Sequence, residues 1–100
     1  MPCDEIFETV VGVDFYQHTM PKYHETIKFE REPTNPFDSN AIAAFNEAGE
    51  QIGYLNRYAA AKYAKDIDDG LVYIVGEFIM ESTCPKLRTS YHVLLYKSLL

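Results

Sequence analysis

Residues 31–42 read R-E-P-T-N-P-F-D-S-N-A-I, and this stretch constrains the fold more than any other. Pro33 and Pro36 fix their own φ, donate no backbone hydrogen bond, and push Glu32 and Asn35 toward extended geometry. Asp38 and Asn40 are short polar residues of the kind that bond back to nearby amides in a turn. No helix runs through such a segment. Alternating apolar residues flank it on both sides, so a strand enters, a stiff turn follows, and a strand leaves. The same stiffness holds Asn35, Phe37 and Asp38 at fixed angles. That suits a recognition surface, and it equally suits a hairpin connection that serves only the fold.

The rest of the chain is mostly strand-like. Residues 8–16, E-T-V-V-G-V-D-F-Y, predict a first strand. Its period of two puts Val11, Val13 and Phe15 on one face and Val10, Gly12, Asp14 and Tyr16 on the other. Gly12 inside it marks a bulge, a bend or close approach of another backbone. Residues 17–24 form a loop turning at Pro21. Residues 25–32 predict a second strand, with Ile27 and Phe29 alternating with polar residues. A third strand over 40–46 and a fourth over 51–55 make a hairpin, with Gly49 in the connection. Asn56 is placed to cap a helix over 57–69, whose buried stripe is Ala60, Tyr63, Ala64 and Ile67. Gly70 stops it. Residues 71–79 and 90–97 predict the last two strands, with a loop over 80–89 containing Pro85.

The order β-β-β-β-α-β-β predicts a mainly β fold of the α+β class. It is a small six-stranded antiparallel barrel, OB-like or SH3-like, with one main helix. Closure removes the edges that six apolar strands would otherwise expose. One hundred residues make a single domain over 1–100.

The formal charge of −6 is unevenly spread. Residues 1–57 hold ten acids against four bases, and residues 58–100 hold five of each. That weighs against sequence-blind binding of nucleic acid by an array of cations, and leaves room for a small site with one or two. No apolar run approaches the roughly 18 residues of a membrane span. The first residues, M-P-C-D-E-I-F, are acidic where a signal peptide is basic, so a cytoplasmic location is expected. Cys3 and Cys84 are then free thiols.

Several chemistries lack their apparatus. There is no phosphate-binding loop and no dinucleotide turn. The spacing of Cys3, His18, His24 and Cys84 matches no zinc pattern, so no metal and no cofactor are expected. Asp38-x-Asn40 opens like a calcium loop but lacks the later Gly and Glu. Asp66, Asp68 and Asp69 crowd a helix C-terminus and read as a solvated patch. Ser39, Ser82, Ser90 and Ser98 carry no local nucleophile signature, so the expected role is not enzymatic. Binding is better supplied. Phe15, Tyr16, Phe37 and Tyr54, with Arg57, fall at strand ends and loops. Stacking rings with one or two cations are the minimum for holding single-stranded nucleic acid on a small barrel. Rings of this kind also serve as core, although alternation places at least one of Phe15 and Tyr16 outside.

Three motifs then come together. V-V-G-V-D-F-Y-Q (10–17), the 31–42 stretch, and G-E-Q-I-G-Y-L-N-R (49–57) ahead of an alanine-rich helix resemble the HIRAN domain in order and spacing. The resemblance implies a modified OB-like barrel. It also implies binding of single-stranded DNA at a free 3′-hydroxyl end, the role of the family's domain fused to a fork-remodelling helicase. That member has an Arg-Tyr-Tyr run where this chain has Asp14-Phe15-Tyr16. Its Asn-Pro-Tyr-Asp turn becomes Asn35-Pro36-Phe37-Asp38, and its His and basic residue become Tyr54 and Arg57. Carried over, Asp38 accepts from the 3′-hydroxyl, and Asn35 reads a base edge or the sugar. Phe15, Tyr16 or Phe37 stack on bases, and Arg57 pairs with a phosphate. Asp14 puts an anion where the family member has a cation, Phe37 lacks a hydroxyl and Tyr54 an imidazole; with the charge of −6 these departures imply weaker and more salt-sensitive DNA binding, or another ligand. The implied partners are the 3′ end of single-stranded DNA and a helicase or nuclease, in DNA repair or replication. One alternative is a protein-interaction module that uses the same aromatic groove, motivated by the acidic surface. Another is a metal-binding or hydrolase-associated protein, resting on the scattered His, Cys and Asp.

Overall fold

The computed structural model describes residues 5–83 and 88–100; Cys3, Cys84 and Pro85 lie outside them. The apolar segments become β1 (Glu5–Val11), β2 (Thr26–Arg31), β3 (Ile42–Phe45), β4 (Gln51–Leu55), β5 (Val72–Ser82) and β6 (Ser90–Leu99), with α1 (Arg57–Asp68) between β4 and β5. The element order is the expected one. Spatially the strands run β1-β4-β3-β2-β5-β6, all pairs antiparallel, and β6 pairs back onto β1 to close the barrel.

The first strand departs from expectation. It starts at Glu5 and ends at Val11, and residues 13–15 form a 3-10 turn. Gly12 is the cause. It sits in the left-handed region, φ 72° and ψ 16°, which glycine adopts without steric cost. Phe15 N–H then donates to Gly12 O at 3.1 Å and Tyr16 N–H to Val13 O at 3.3 Å. The bend resets the faces, so Val10 and Val13 are both buried while Val11 and Phe15 face out. Period two cannot foresee this, because V-V-G-V-D-F-Y reads as a strand straight through the glycine. Across the ladder Gly53 makes room: a Cβ there would lie 2.4 Å from the Val11 carbonyl oxygen.

Other boundaries move for local reasons. β3 starts at Ile42 rather than at 40, because Asp38 Oδ1 already accepts the Asn40 N–H at 2.9 Å in the turn before it. β5 runs on to Ser82 past a register shift between Phe78 and Met80, pairing Met80, Glu81 and Ser82 with His92, Tyr91 and Ser90. The predicted 80–89 loop is correspondingly shorter.

Asn56 caps α1, its Oδ1 accepting from Ala59 N–H at 3.0 Å. At the other end Gly70 N–H donates to Ile67 O and Leu71 N–H to Asp66 O, the paired bonds of a Schellman ending. Ala59, Ala60, Tyr63 and Ala64 are buried and Ile67 half-buried. These pack on Ile42, Leu55, Ile74 and Leu95 as one core cluster. A second cluster, Val10, Val13, Ile27, Ala44, Ile52, Phe78, Tyr91 and Val93, fills the rest of the barrel. Phe29 touches both. Each fully buried Val, Ile or Leu here contributes about 1.5–3 kcal/mol. The packed barrel is therefore a rigid base for the loop that leaves β2.

Candidate nucleic-acid interface

The loop leaving β2 answers its own hydrogen bonds. Glu32 N–H donates to Ala41 O, Asn35 N–H to Glu32 O, and Ala41 N–H to Asp38 O, all within 2.9–3.0 Å. Asn35 Oδ1 accepts from Phe37 N–H at 2.8 Å and from Asp38 N–H at 3.1 Å. Such side-chain bonding to amides two and three residues on is what makes Asn a turn residue. Arg31 ties the loop down. Its Nη1 donates to Ala41 O at 2.8 Å and its Nη2 to Ser39 O at 2.9 Å. Its Nε and Nη2 also form a forked pair with Asp68 at 2.8 and 2.7 Å. That pairing raises the Arg31 pKa and lowers that of Asp68. Asp68 is thus not the bystander its acidic neighbourhood suggested. It fastens the loop to the end of α1.

This fixed loop walls an open pocket of about 810 Å³. Six of the residues singled out in the sequence line it: Tyr16, Asn35, Phe37, Asp38, Tyr54 and Arg57. They come from the segment after the 3-10 turn, the 31–42 loop, the end of β4 and the start of α1, elements far apart in sequence. Phe37 is 88% exposed, an uncovered ring at the pocket rim. Tyr16 and Tyr54 meet edge to face with centroids 6.0 Å apart and planes at 64°. Arg57 Nε lies 3.7 Å from Asp38 Oδ2, and its side chain is 74% exposed.

Asp14 and Phe15 do not line this pocket. Asp14 Oδ2 accepts from Thr89 N–H at 3.2 Å, and the Arg88 guanidinium lies over the Phe15 ring at 4.6 Å. The anion that looked misplaced in the sequence is turned toward the β5–β6 loop. Asn35 lines the pocket, but its amide is committed to the loop. Besides its two accepted bonds, Nδ2 donates to Glu32 Oε1 at 3.0 Å and reaches Tyr54 OH at 3.5 Å.

Glu32 is the residue that sequence reasoning passed over. Its Oε1 also accepts from Tyr54 OH at 2.7 Å. Burial, and then this hydrogen bond, push the Tyr54 hydroxyl up to about 12. Read along the chain, Glu32 is only the residue ahead of Pro33. Its partner Tyr54 lies 22 positions on, across the sheet, and no local spacing connects them.

His18 and His24 have other tasks. His18 Nδ1 donates to Tyr16 O at 2.7 Å, since a carbonyl only accepts, and its Nε2 lies 2.7 Å from Tyr91 OH. It buttresses the backbone of a pocket residue. His24 Nδ1 lies 2.8 Å from Glu77 Oε1. Among the described residues no three His, Cys, Asp or Glu side chains gather as a metal site, and no helix is long and apolar enough to cross a membrane.

The rabbit (Oryctolagus cuniculus) helicase-like transcription factor is 40% identical over 67 residues, which is 67% of this chain and 7% of that protein. A putative SWI/SNF-related chromatin regulator from Arabidopsis thaliana is 32% identical over 71 residues, or 71% of this chain and 8% of that one. The chain therefore spans under a tenth of the length of these relatives. The crystal structure of the HIRAN domain of human HLTF superposes with a TM-score of 0.76 at 27% identity, covering 94% of this chain and 75% of that one. The HLTF HIRAN domain in its DNA-bound conformation, solved by NMR, gives 0.66 at 28% identity, covering 92% of this chain and 74% of that one. The HIRAN domain pattern itself matches residues 4–98, nearly the whole barrel, and by that match the chain belongs to the HIRAN domain family.

Proposed function

We propose that this domain is a non-catalytic module that holds the 3′ end of single-stranded DNA in the pocket between the 31–42 loop and β4. The observation that carries the reading is the convergence of Tyr16, Phe37, Tyr54, Asp38 and Arg57 on one open cavity, in a family with a structure in a DNA-bound conformation. Phe37 offers an uncovered face for a base. Base–aromatic stacking contributes about 1–3 kcal/mol per base. In this reading the exposed Arg57 pairs with a backbone phosphate, and Asp38 accepts from the terminal hydroxyl. A site of this size needs no basic surface, which fits the overall charge of −6. The longer relatives are named for helicase-like and chromatin-regulating proteins. A helicase or nuclease partner, in DNA repair or replication, fits the same reading.

The test is fluorescence anisotropy at low salt with labelled oligonucleotides that carry either a free 3′-hydroxyl or an inverted linkage leaving no 3′ end. The free end should bind more tightly. Arg57→Ala should weaken binding and reduce the salt slope by about one. Equal binding of the two oligonucleotides would remove end recognition from the proposal.

A further inference from the structure

The pocket's charges divide into pairs with one left over. Arg31 is held by Asp68, and Arg57 stands beside Asp38. Glu32 lines the same pocket, yet among the described residues no cation lies within salt-bridge distance of it. Its Oε1 is held by the Tyr54 hydroxyl and the Asn35 amide, and its Oε2 has no hydrogen-bond partner among the described residues. Both donors are neutral, so they orient the carboxylate without cancelling its charge. A partly enclosed site screens such a charge less than open water does.

We infer that Glu32 is the specificity-determining residue of the pocket: its unpaired carboxylate admits an uncharged, hydrogen-bond-donating end such as a sugar hydroxyl and turns away a terminal phosphate. The inference rests on the proposed 3′-end reading and deepens it. A phosphate monoester brings a charge of about −1.5 to −2 near neutral pH and only acceptor oxygens when ionised. Against Glu32 it meets like charge and no donor. A hydroxyl brings no charge, so Glu32 leaves it free to donate to Asp38. The neighbours reinforce this. Tyr54 keeps its proton throughout the neutral range, so its hydroxyl remains a donor to Glu32 and holds the carboxylate in place.

Glu32→Gln separates charge from shape. The glutamine oxygen still accepts from Tyr54 and Asn35, while an amide N–H replaces the partnerless oxygen. Affinities of wild type and variant are measured for one oligonucleotide ending in a 3′-hydroxyl, a 3′-phosphate or an inverted linkage. Wild type should prefer the hydroxyl over the phosphate by about tenfold or more at low salt. The variant should bind the phosphate end several-fold tighter than wild type does, a gain that misfolding does not produce. No gain from a variant with a wild-type circular dichroism spectrum overturns the inference. If the variant does not fold, a salt series on wild type decides. A preference set by charge contracts as salt rises, and one that stays constant also overturns it. Failure of wild type to prefer a free end over the inverted linkage is a different result, and it sinks the 3′-end reading itself.

Discussion

Replacing Gly53 with alanine tests whether the close approach of β1 and β4 holds the fold and the pocket wall together. A Cβ at this position would sit 2.4 Å from Val11 O, 3.2 Å from Val10 Cγ1 and 3.3 Å from Val13 Cγ1. The first of these is backbone in a paired strand and has no rotamer by which to move away. The φ of 152° is itself one that side-chain-bearing residues rarely adopt, at a cost of about 1–3 kcal/mol. Overpacking of the core adds about 1–3 kcal/mol. The sum, about 2–6 kcal/mol, is a large part of the 5–15 kcal/mol that holds a typical domain together. In a domain of this size it lowers Tm by at least about 10 °C. Gly49→Ala is the control, because Gly49 also has a positive φ, 86°, but nothing lies within 4 Å of its Cβ position. It should cost only the left-handed backbone strain, about 1–2 kcal/mol. The assay is urea unfolding followed by far-ultraviolet circular dichroism, since the chain has no tryptophan. A Gly53→Ala protein no less stable than Gly49→Ala would refute the reasoning. The same substitution should also weaken DNA binding, because Tyr54 is the next residue and pairs with Val11.

Two further outcomes are expected. Tyr63 is 2% exposed and its hydroxyl has no hydrogen-bond partner among the described residues; Tyr63→Phe should therefore stabilise the domain by about 1 kcal/mol in the same urea assay, and a loss of more than about 0.5 kcal/mol would contradict the assignment. Tyr54 is neutral in the fold with its pKa raised from 10.0 to about 12, so its contribution is full below pH 10 and lost as pH rises through about 12. Wild type should lose stability over that window relative to Tyr54→Phe, by no more than about 2 kcal/mol, and parallel urea midpoints for the two proteins would count against it.

Much of this molecule is legible in its sequence, for reasons that differ from part to part. The helix is announced by Asn56, its alanines and Gly70, all local signals, and it lies within one residue of expectation. Strand β2 alternates in sequence, β4 is bounded by Gly49 and the capping Asn56, and both keep their boundaries to within a residue. The segment around Gly12 is misread because a left-handed glycine leaves the pattern of its neighbours unchanged while reversing which of them face inward. The candidate site divides in the same way. The 31–42 stretch shows that a stiff loop exists and that Phe37 and Asp38 are fixed on it. It does not show that Arg31 and Asp68 fasten that loop to the helix, or that Glu32 meets Tyr54. Those contacts depend on the closed barrel, where separation along the chain says nothing about distance.

That closure has a consequence for how the protein comes to be competent. β1 pairs with β6 from Glu5 to Val10 and with β4 at Val10 and Val11, so the seam joins the first strand to the last. Pairings of such long sequence separation raise the contact order and slow folding. Tyr16 follows β1 and Tyr54 ends β4, so their edge-to-face contact depends on the docking of β1. A chain that has paired β2 to β5 but not yet taken up its first strand lacks Val10 and Val13 in its core and Val11 and Tyr16 in its pocket wall. An occupant that touches both tyrosines bridges the seam. It favours the closed barrel by mass action, about 2.7 kcal/mol at a hundredfold excess over Kd. Occupancy of the pocket and retention of the first strand are then linked equilibria, each favouring the other.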